Sequence, residues 1–460
     1  PPPPTGNRAF AHLKLENYGS AIADAAAALA LDPSFIKAHY RRGSAYLALG
    51  KLKEARTDFR AVVRMKPGDA DAEGKLAECE KELKRKAFEE AIVVEARRPA
   101  SERLAVDSLV VDPAYGGPHL PAVPAPGAGA SSAACAADVD AVSEHGVSLG
   151  FVRAMMAEFK AQKMIARKYA LQLLVRMLKL LRPLPSLVHT PFPAGAARFN
   201  VCGDTHGQFY DTLNIFELNG EPSPTNPYLF NGDFVDRGSF SVENVLTLFA
   251  WKLLYPDAVH LTRGNHETKN MNKLYGFEGE VRAKLDAVTM EVFAEVFCAL
   301  PLAVVVARKV FVVHGGLFQR EGVTLEEIAR IDRFREPPED GLMSDILWSD
   351  PQPFPGRGPS KRGVGQSFGP DVTARFLESN GLSLVIRSHE VMDNGYQPMH
   401  GGKLITVFSA PNYCDQMGNK GGVVRLDADC NPTFLSFDAV PHPPVRPMAY
   451  AAGMGGMFGF

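Results

Sequence analysis

The sequence lacks the marks of several protein classes. It has no paired cysteines. Six (Cys79, Cys135, Cys202, Cys298, Cys414 and Cys430) are scattered through 460 residues with no Cys-x-x-Cys, which excludes a disulfide framework and a zinc-thiolate site. Each reads as a small buried hydrophobe in a reducing compartment. It has no long apolar run. The longest, 25–31 and 301–307, fall short of the roughly 18 residues of a membrane span. It has almost no net charge, −2 from 50 basic and 52 acidic residues, which excludes a global basic field for nucleic acid or anionic lipid. It lacks an initiator methionine and a basic-then-apolar leader, opening instead on four prolines, so a fragment or a processed chain is expected. With 46% hydrophobic and 22% charged residues, the composition is globular, and the length suggests two or three domains.

What is present is uneven. From 113 to 137, 18 of 25 residues are Ala, Gly or Pro. Such a stretch carries too little apolar bulk for a core and reads as a linker, expected over 99–147. Ahead of it the chain repeats. Pro33 and Pro67, Tyr18 and Leu52, and Ala21 and Ala55 are each 34 apart. Gly43, Tyr46, Gly50, Leu52, Ala55, Phe59 and Pro67 fall at the positions of a tetratricopeptide unit. The expectation is a helical repeat domain over 1–98: two repeats and a capping helix over 70–96. The first repeat begins in the proline run, where a helix should be, and a preceding repeat is expected to be missing.

After 147 the pattern changes. Phe151, Val152, Met155, Met156 and Phe159 form a helical stripe. Short apolar runs follow at 198–202, 227–230, 258–261, 310–313, 384–386 and 404–408, as expected of buried strands in an α/β domain. Polar segments follow them: Gly203-Asp204-Thr205-His206-Gly207, Gly232-Asp233-Phe234-Val235-Asp236-Arg237-Gly238, Gly264-Asn265-His266-Glu267, His314-Gly315-Gly316 and Arg387-Ser388-His389-Glu390. Side chains able to bind metal thus emerge where α/β sites assemble. The donors are Asp, His and Asn, which suits Mn, Fe or Zn. Asp204, His206 and Asp233 form one candidate set. Asn265, His314 and His389 form the other, with Asp233 bridging. Arg237 and Arg362 are forked donors for phosphate oxygens. His266, oriented by Asp236, is a candidate general acid.

These segments, with Trp348-Ser349-Asp350-Pro351 and Ser409-Ala410-Pro411-Asn412-Tyr413-Cys414, resemble the phosphoprotein phosphatase family of serine/threonine phosphatases over most of 148–445. The resemblance implies a multidomain α + α/β chain. Tetratricopeptide helices would precede a calcineurin-like metallophosphoesterase β-sandwich flanked by helices, its sheets mixed. It implies two metal ions (manganese, iron or zinc) on the ligands above. Arg237, Asn265, Arg362, Tyr413 and His389 would border the phosphate, with His266 and Asp236 as the proton-donating pair. Phosphoserine and phosphothreonine would be hydrolysed by in-line attack of a metal-bridging hydroxide, without a phosphoenzyme. Expected partners are phosphoproteins and the Glu-Glu-Val-Asp tail of a heat-shock protein 90 type chaperone. No nucleic acid and no membrane span are expected. Cytoplasm and nucleus are the expected locations.

The family's repeat domain also inhibits the catalytic domain. Asn7, Lys37 and Arg41 match three positions of the carboxylate clamp for the chaperone tail, and Glu16 aligns with an acidic inhibitory contact. The repeat region, with 18 basic and 14 acidic residues over 5–98, does not oppose an acidic peptide. The rewritten linker and the Gly-rich tail over 446–460, a poor helix former, lead to an expectation of weak autoinhibition. Other readings are a metallophosphoesterase acting on nucleotides and a non-catalytic repeat scaffold. The Ser409–Cys414 and Trp348–Pro351 motifs, with the intact ligands and arginines, argue against both.

Overall fold

The computed structural model describes residues 4–91 and 98–451. They form two compact units. One holds the residues up to Arg98 together with Gly358–Ser367, and the other holds Pro99–Arg357 and the chain from Phe368.

The first unit is helical: α1 (Pro4–Lys14), α2 (Tyr18–Leu31), α3 (Ile36–Ala48), α4 (Leu52–Met65) and α5 (Ala70–Ala91). Residues 92–96 of the expected capping helix lie outside the described residues. The first repeat does possess its first helix. It starts at Pro4, since proline in the first turn has no amide donor to lose. Small residues let the helices approach. A Cβ on Gly43 would lie 3.1 Å from Asp58 Cβ and 3.3 Å from the Phe59 ring. The repeat also carries a charge pair that the 34-residue spacing duplicates. Arg8 donates to both oxygens of Asp24 at 2.6 and 2.7 Å. Arg42 does the same to the buried Asp58 at 2.8 and 2.9 Å.

The second unit is a sandwich of two mixed sheets. The larger has the order β1 (Leu187–Thr190), β5 (Ala303–Val306), β6 (Val310–Val313), β10 (Leu384–Arg387), β12 (Leu404–Val407) and β11 (Tyr396–Met399). The other has the order β14 (Pro432–Phe437), β13 (Gly421–Leu426), β2 (Phe199–Cys202), β3 (Tyr228–Phe230) and β4 (Val259–Leu261). Strands β2, β3 and β4 run parallel, as do β6, β10 and β12. A small ribbon joins β7 (Asp350–Pro351), β9 (Gln366–Phe368) and β8 (Arg357–Pro359). All six strands expected from the apolar runs are present.

Strand residues divide by parity. Val201, Leu229, Val304, Val306, Val310, Val312, Ile386 and Val407 fill the space between the sheets. Cys202, Tyr228 and Phe230 face helices on one outer side. Ala303, Val305, Phe311 and Val313 face the other outer layer. Strands buried on both faces read as continuous apolar runs rather than alternating ones.

The segment 99–147 departs from the linker expectation. It belongs to the second unit. Ala100, Val106, Leu120, Cys135 and Val147 enter the core beside the helices Leu149–Lys160 and Arg167–Leu181. The buried Arg176 holds it down, donating to Gly146 O at 2.7 Å and Pro121 O at 3.0 Å. Glu295 accepts from Ala100 N at 2.6 Å and from Ser101 Oγ. Few large side chains are needed when backbone carbonyls and carboxylates supply the attachment.

All six cysteines are free, and Cys79, Cys135, Cys202 and Cys430 are buried. Among the described residues no helix is long and apolar enough to cross a membrane. Of the tail, 446–451 forms turns and no helix, and 452–460 lies outside the described residues.

Candidate active site

The site lies where carboxyl ends of strands from both sheets meet. Asp204 and His206 follow β2, Asp233 follows β3, and Asn265 and His266 follow β4. His314 follows β6, His389 follows β10, and Tyr413 lies in the segment after β12. The loops turn within a few residues. His206, Asp233, Asp236, Arg237 and His389 all have positive φ, between 40° and 70°. Such backbone strain is held only where the surroundings over-determine it. The loops also cross closely. A Cβ on Gly232, itself at φ 81°, would lie 2.6 Å from Gly264 Cα.

The donors are buried and aimed at one another. His206 Nδ1 donates to Val235 O at 3.0 Å, and His314 Nδ1 donates to Asn231 O at 2.8 Å. Each bond leaves Nε2 as a lone pair. His206 Nε2 lies 3.5 Å from Asp233 Oδ2 and 3.7 Å from Asp204 Oδ2. His314 Nε2 lies 3.3 Å from Asp233 Oδ2, 2.9 Å from Asn265 Oδ1 and 3.3 Å from His389 Nδ1. Oxygen and nitrogen acceptors converging in a dry space repel unless a cation lies among them. Asp233 belongs to both groups of mutually close donors, one with His206 and the other with His314 and His389. The donor set therefore fits two metal ions sharing Asp233. Burial and the neighbouring Asp233 push the Asp204 carboxyl up to about 7. Burial pushes His206 down to about 3 and lowers His314. Bound cations would reverse the first effect and use the second, since ligands must be unprotonated.

Beside this cradle His266 is paired with Asp236. His266 Nδ1 lies 2.8 Å from Asp236 Oδ2, so Nδ1 carries a proton and Nε2 points away from the carboxylate. His266 also groups with His206 and Asp233 as a close donor, but its bond to Asp236 accounts for its orientation. Arg237 is buried. Its guanidinium stacks 3.7 Å from the Tyr275 ring centroid, beside Tyr413. Its Nη1 lies 3.5 Å from Met448 Sδ.

Asn265 and His389 thus lie against His314, and Tyr413 lies beside Arg237 with its ring centroid 5.1 Å from that of His206. The remaining residue expected at the phosphate is Arg362. It lies in Gly358–Ser367, which belongs to the first unit, where its N–H donates to Ser360 Oγ at 3.0 Å. In the first unit Asn7 and Lys37 are exposed. Arg41 donates to Gly6 O at 2.5 Å and lies 5.0 Å from the Phe10 ring centroid. Glu16 sits at φ 58° in the turn between α1 and α2.

The residues that hold the donors in place were not singled out from the sequence. Glu267 accepts from Asp233, Phe234 and Gly264 N–H, each at 2.8 Å. Asn231 Nδ2 donates to Val313 O at 2.7 Å and Ser388 Oγ at 2.8 Å. Both lie inside or next to the motifs, and that adjacency was the available signal.

A calcineurin-like phosphoesterase model matches 197–393, a tetratricopeptide repeat model matches 7–70, and a PPP5 TPR repeat region model matches 76–189. Serine/threonine-protein phosphatase 5 of Homo sapiens is 52% identical over 97% of this chain and 85% of its own length. The chain belongs to the serine/threonine-protein phosphatase 5 family. Serine/threonine-protein phosphatase T of Trypanosoma brucei brucei is 49% identical over 98% of this chain and 90% of its own. A solved Saccharomyces cerevisiae protein serine/threonine phosphatase, described as similar to human phosphatase PP5, superimposes with TM-score 0.64. It is 44% identical, covering 66% of this chain and all of its own. This chain is accordingly a protein serine/threonine phosphatase of metallophosphoesterase type with a tetratricopeptide regulatory region. Family membership implies two divalent metal ions.

Proposed function

We propose that this phosphatase hydrolyses phosphoserine and phosphothreonine in proteins by one in-line displacement at the Asp233-centred site. The observation that carries the reading is the pair of donor sets sharing Asp233, flanked by Arg237 and by the His266–Asp236 pair. Asp204, His206 and Asp233 would hold one ion, and Asp233, Asn265, His314 and His389 the other. Manganese, iron and zinc all suit this imidazole-rich donor set. When bound, such ions neutralise phosphoryl charge and lower the pKa of water toward neutrality.

Arg237 and Asn265 orient the phosphate, with Tyr413 and His389 at its border. Arg362 is assigned to the same task on family resemblance. A water oxygen forms the new P–O bond, its released proton passing to solvent, as the ester P–O bond breaks. The bonding pair leaves with the seryl or threonyl oxygen, which takes the Nε2 proton of His266. The products are the alcohol and inorganic phosphate, and the ring is reprotonated from solvent. Asp236 holds the imidazole and supports its positive charge.

Asn7, Lys37 and Arg41 are assigned to an acidic chaperone tail ending Glu-Glu-Val-Asp, and Glu16 to an inhibitory contact. A chain without disulfides suits the cytoplasm and nucleus. The test is hydrolysis of a phosphoserine peptide with added Mn²⁺, with and without a Glu-Glu-Val-Asp-ending peptide. Mn-dependent turnover is expected. His266→Asn should lower it by about a hundredfold or more while metal content stays unchanged. Unaltered turnover in that variant would remove His266 from its role.

A further inference from the structure

We infer that Asn272 is a positioning residue for the proton donor, fixing His266 and Asp236 against each other. The inference rests on the proton-donor reading above. Asn272 lies on the helix Lys269–Tyr275 and is fully buried. Its Nδ2 donates to His266 O at 2.6 Å and to Asp236 Oδ2 at 3.2 Å. One amide group therefore ties the backbone of the donor to the side chain that orients it.

The amide has only one acceptable orientation. Turned over, Oδ1 would face a carbonyl and a carboxylate, both acceptors. As placed, Oδ1 is buried with no hydrogen-bond partner among the described residues. An orphaned acceptor is tolerated only where the other end of the group is committed.

The same helix end fixes the second Asp236 oxygen. Oδ1 accepts from Phe277 N–H at 2.9 Å, across the junction at Gly276, where φ is 116°. Asp236 thus receives His266 and Asn272 on one oxygen and the helix junction on the other. The carboxylate cannot rotate without giving up several bonds. The imidazole in turn cannot swing Nε2 away from the leaving oxygen. Small errors in such geometry cost rate without necessarily costing binding.

A positioning role makes a claim that a stabilising role does not. A seryl oxygen is a poor leaving group and needs the proton, whereas 4-nitrophenolate does not. In the full Mn-loaded chain, Asn272→Ala and Asn272→Ser are compared with wild type and His266→Asn on a phosphoserine peptide and on 4-nitrophenyl phosphate. The ratio of kcat on the two substrates, taken from one preparation, is independent of how much protein has folded.

The ratio is expected to fall by about tenfold in Asn272→Ala, less in Asn272→Ser, which keeps one donor, and most in His266→Asn. KM should change little. An unchanged ratio in the Asn272 variants beside a fallen ratio in His266→Asn overturns the positioning role alone. An unchanged ratio in His266→Asn overturns the proton-donor reading, and the inference with it.

Discussion

At the scale of single residues, burial sets charge behaviour outside the site as well as within it. Lys252 is buried on the helix Ser241–Leu254, with Nζ donating to Pro256 O at 2.5 Å. Burial lowers its pKa from 10.5 to about 8. The folded protein therefore releases this proton at lower pH than the unfolded chain does. Between about pH 8 and 10.5 the unfolded state binds more protons, so stability rises with pH across that window. Below it, holding the charge inside costs about 3 kcal/mol. Lys252→Met is expected to raise the urea midpoint at pH 7, with the advantage shrinking as pH climbs toward 10.5. An advantage that does not vary with pH would assign the gain to packing. The grouped donors and the His266–Asp236 pair were legible because they sit in short, ordered motifs at strand ends. Glu267, Asn231 and Asn272 were not, since a carboxylate or amide that binds backbone N–H groups carries no signature of its partners. Arg8–Asp24 and Arg42–Asp58 went unread for a related reason. Their 34-residue spacing was visible, but pairing across two helices was not.

At the scale of elements, what the sequence conceals is packing by composition-poor segments. Strands β2, β3, β4, β6, β10 and β12 announce themselves as uniform apolar runs because both faces are buried. Strand β14 is mostly half-buried or exposed, with only Phe437 buried, β13 begins with two glycines, and β1 contains a histidine. None of these gives a clean run. The segment 99–147 is the larger case. Ala, Gly and Pro lose little side-chain entropy on ordering, so a stretch that looks too poor to fold is cheap to fix once acceptors are supplied. Removing it would leave the Arg176 donors without Gly146 O and Pro121 O inside a core. It would also take Leu120, Val106 and Cys135 out of the core they share with the neighbouring helices. A catalytic fragment beginning at Val147 is therefore expected to be less stable than one beginning at Pro99 by about several kcal/mol and to melt well below it. Parallel thermal melts check this, and coincident midpoints would contradict it. The fragment from Pro99 is also the sounder reference for autoinhibition. Weak inhibition predicts only a small rise in phosphopeptide turnover when the residues before Pro99 are removed, and a large activation would refute it.

At the scale of the whole molecule, the fold class followed from two periodicities, 34 residues before the Ala/Gly/Pro-rich stretch and alternating strands and helices after it. The β-sandwich itself followed from family resemblance, because run lengths do not say how strands divide between sheets. The sheets divide so that Asp204, Asp233 and Asn265 come from one and His314 and His389 from the other. The proposed ligands, separated by up to 185 positions in sequence from Asp204 to His389, thus depend on both sheets being in place. Exhaustive chelation should abolish phosphopeptide hydrolysis and lower the melting temperature, and readdition of Mn²⁺ should restore both. Retained activity after complete metal removal would contradict the donor assignment. The same arrangement has a mechanical consequence. Ions seated between β3 and β10 would act as a pin through the sandwich, so the sheets cannot part until the pin is drawn. The lifetime of the folded enzyme at elevated temperature should then lengthen with free metal concentration, even where its turnover is already saturated.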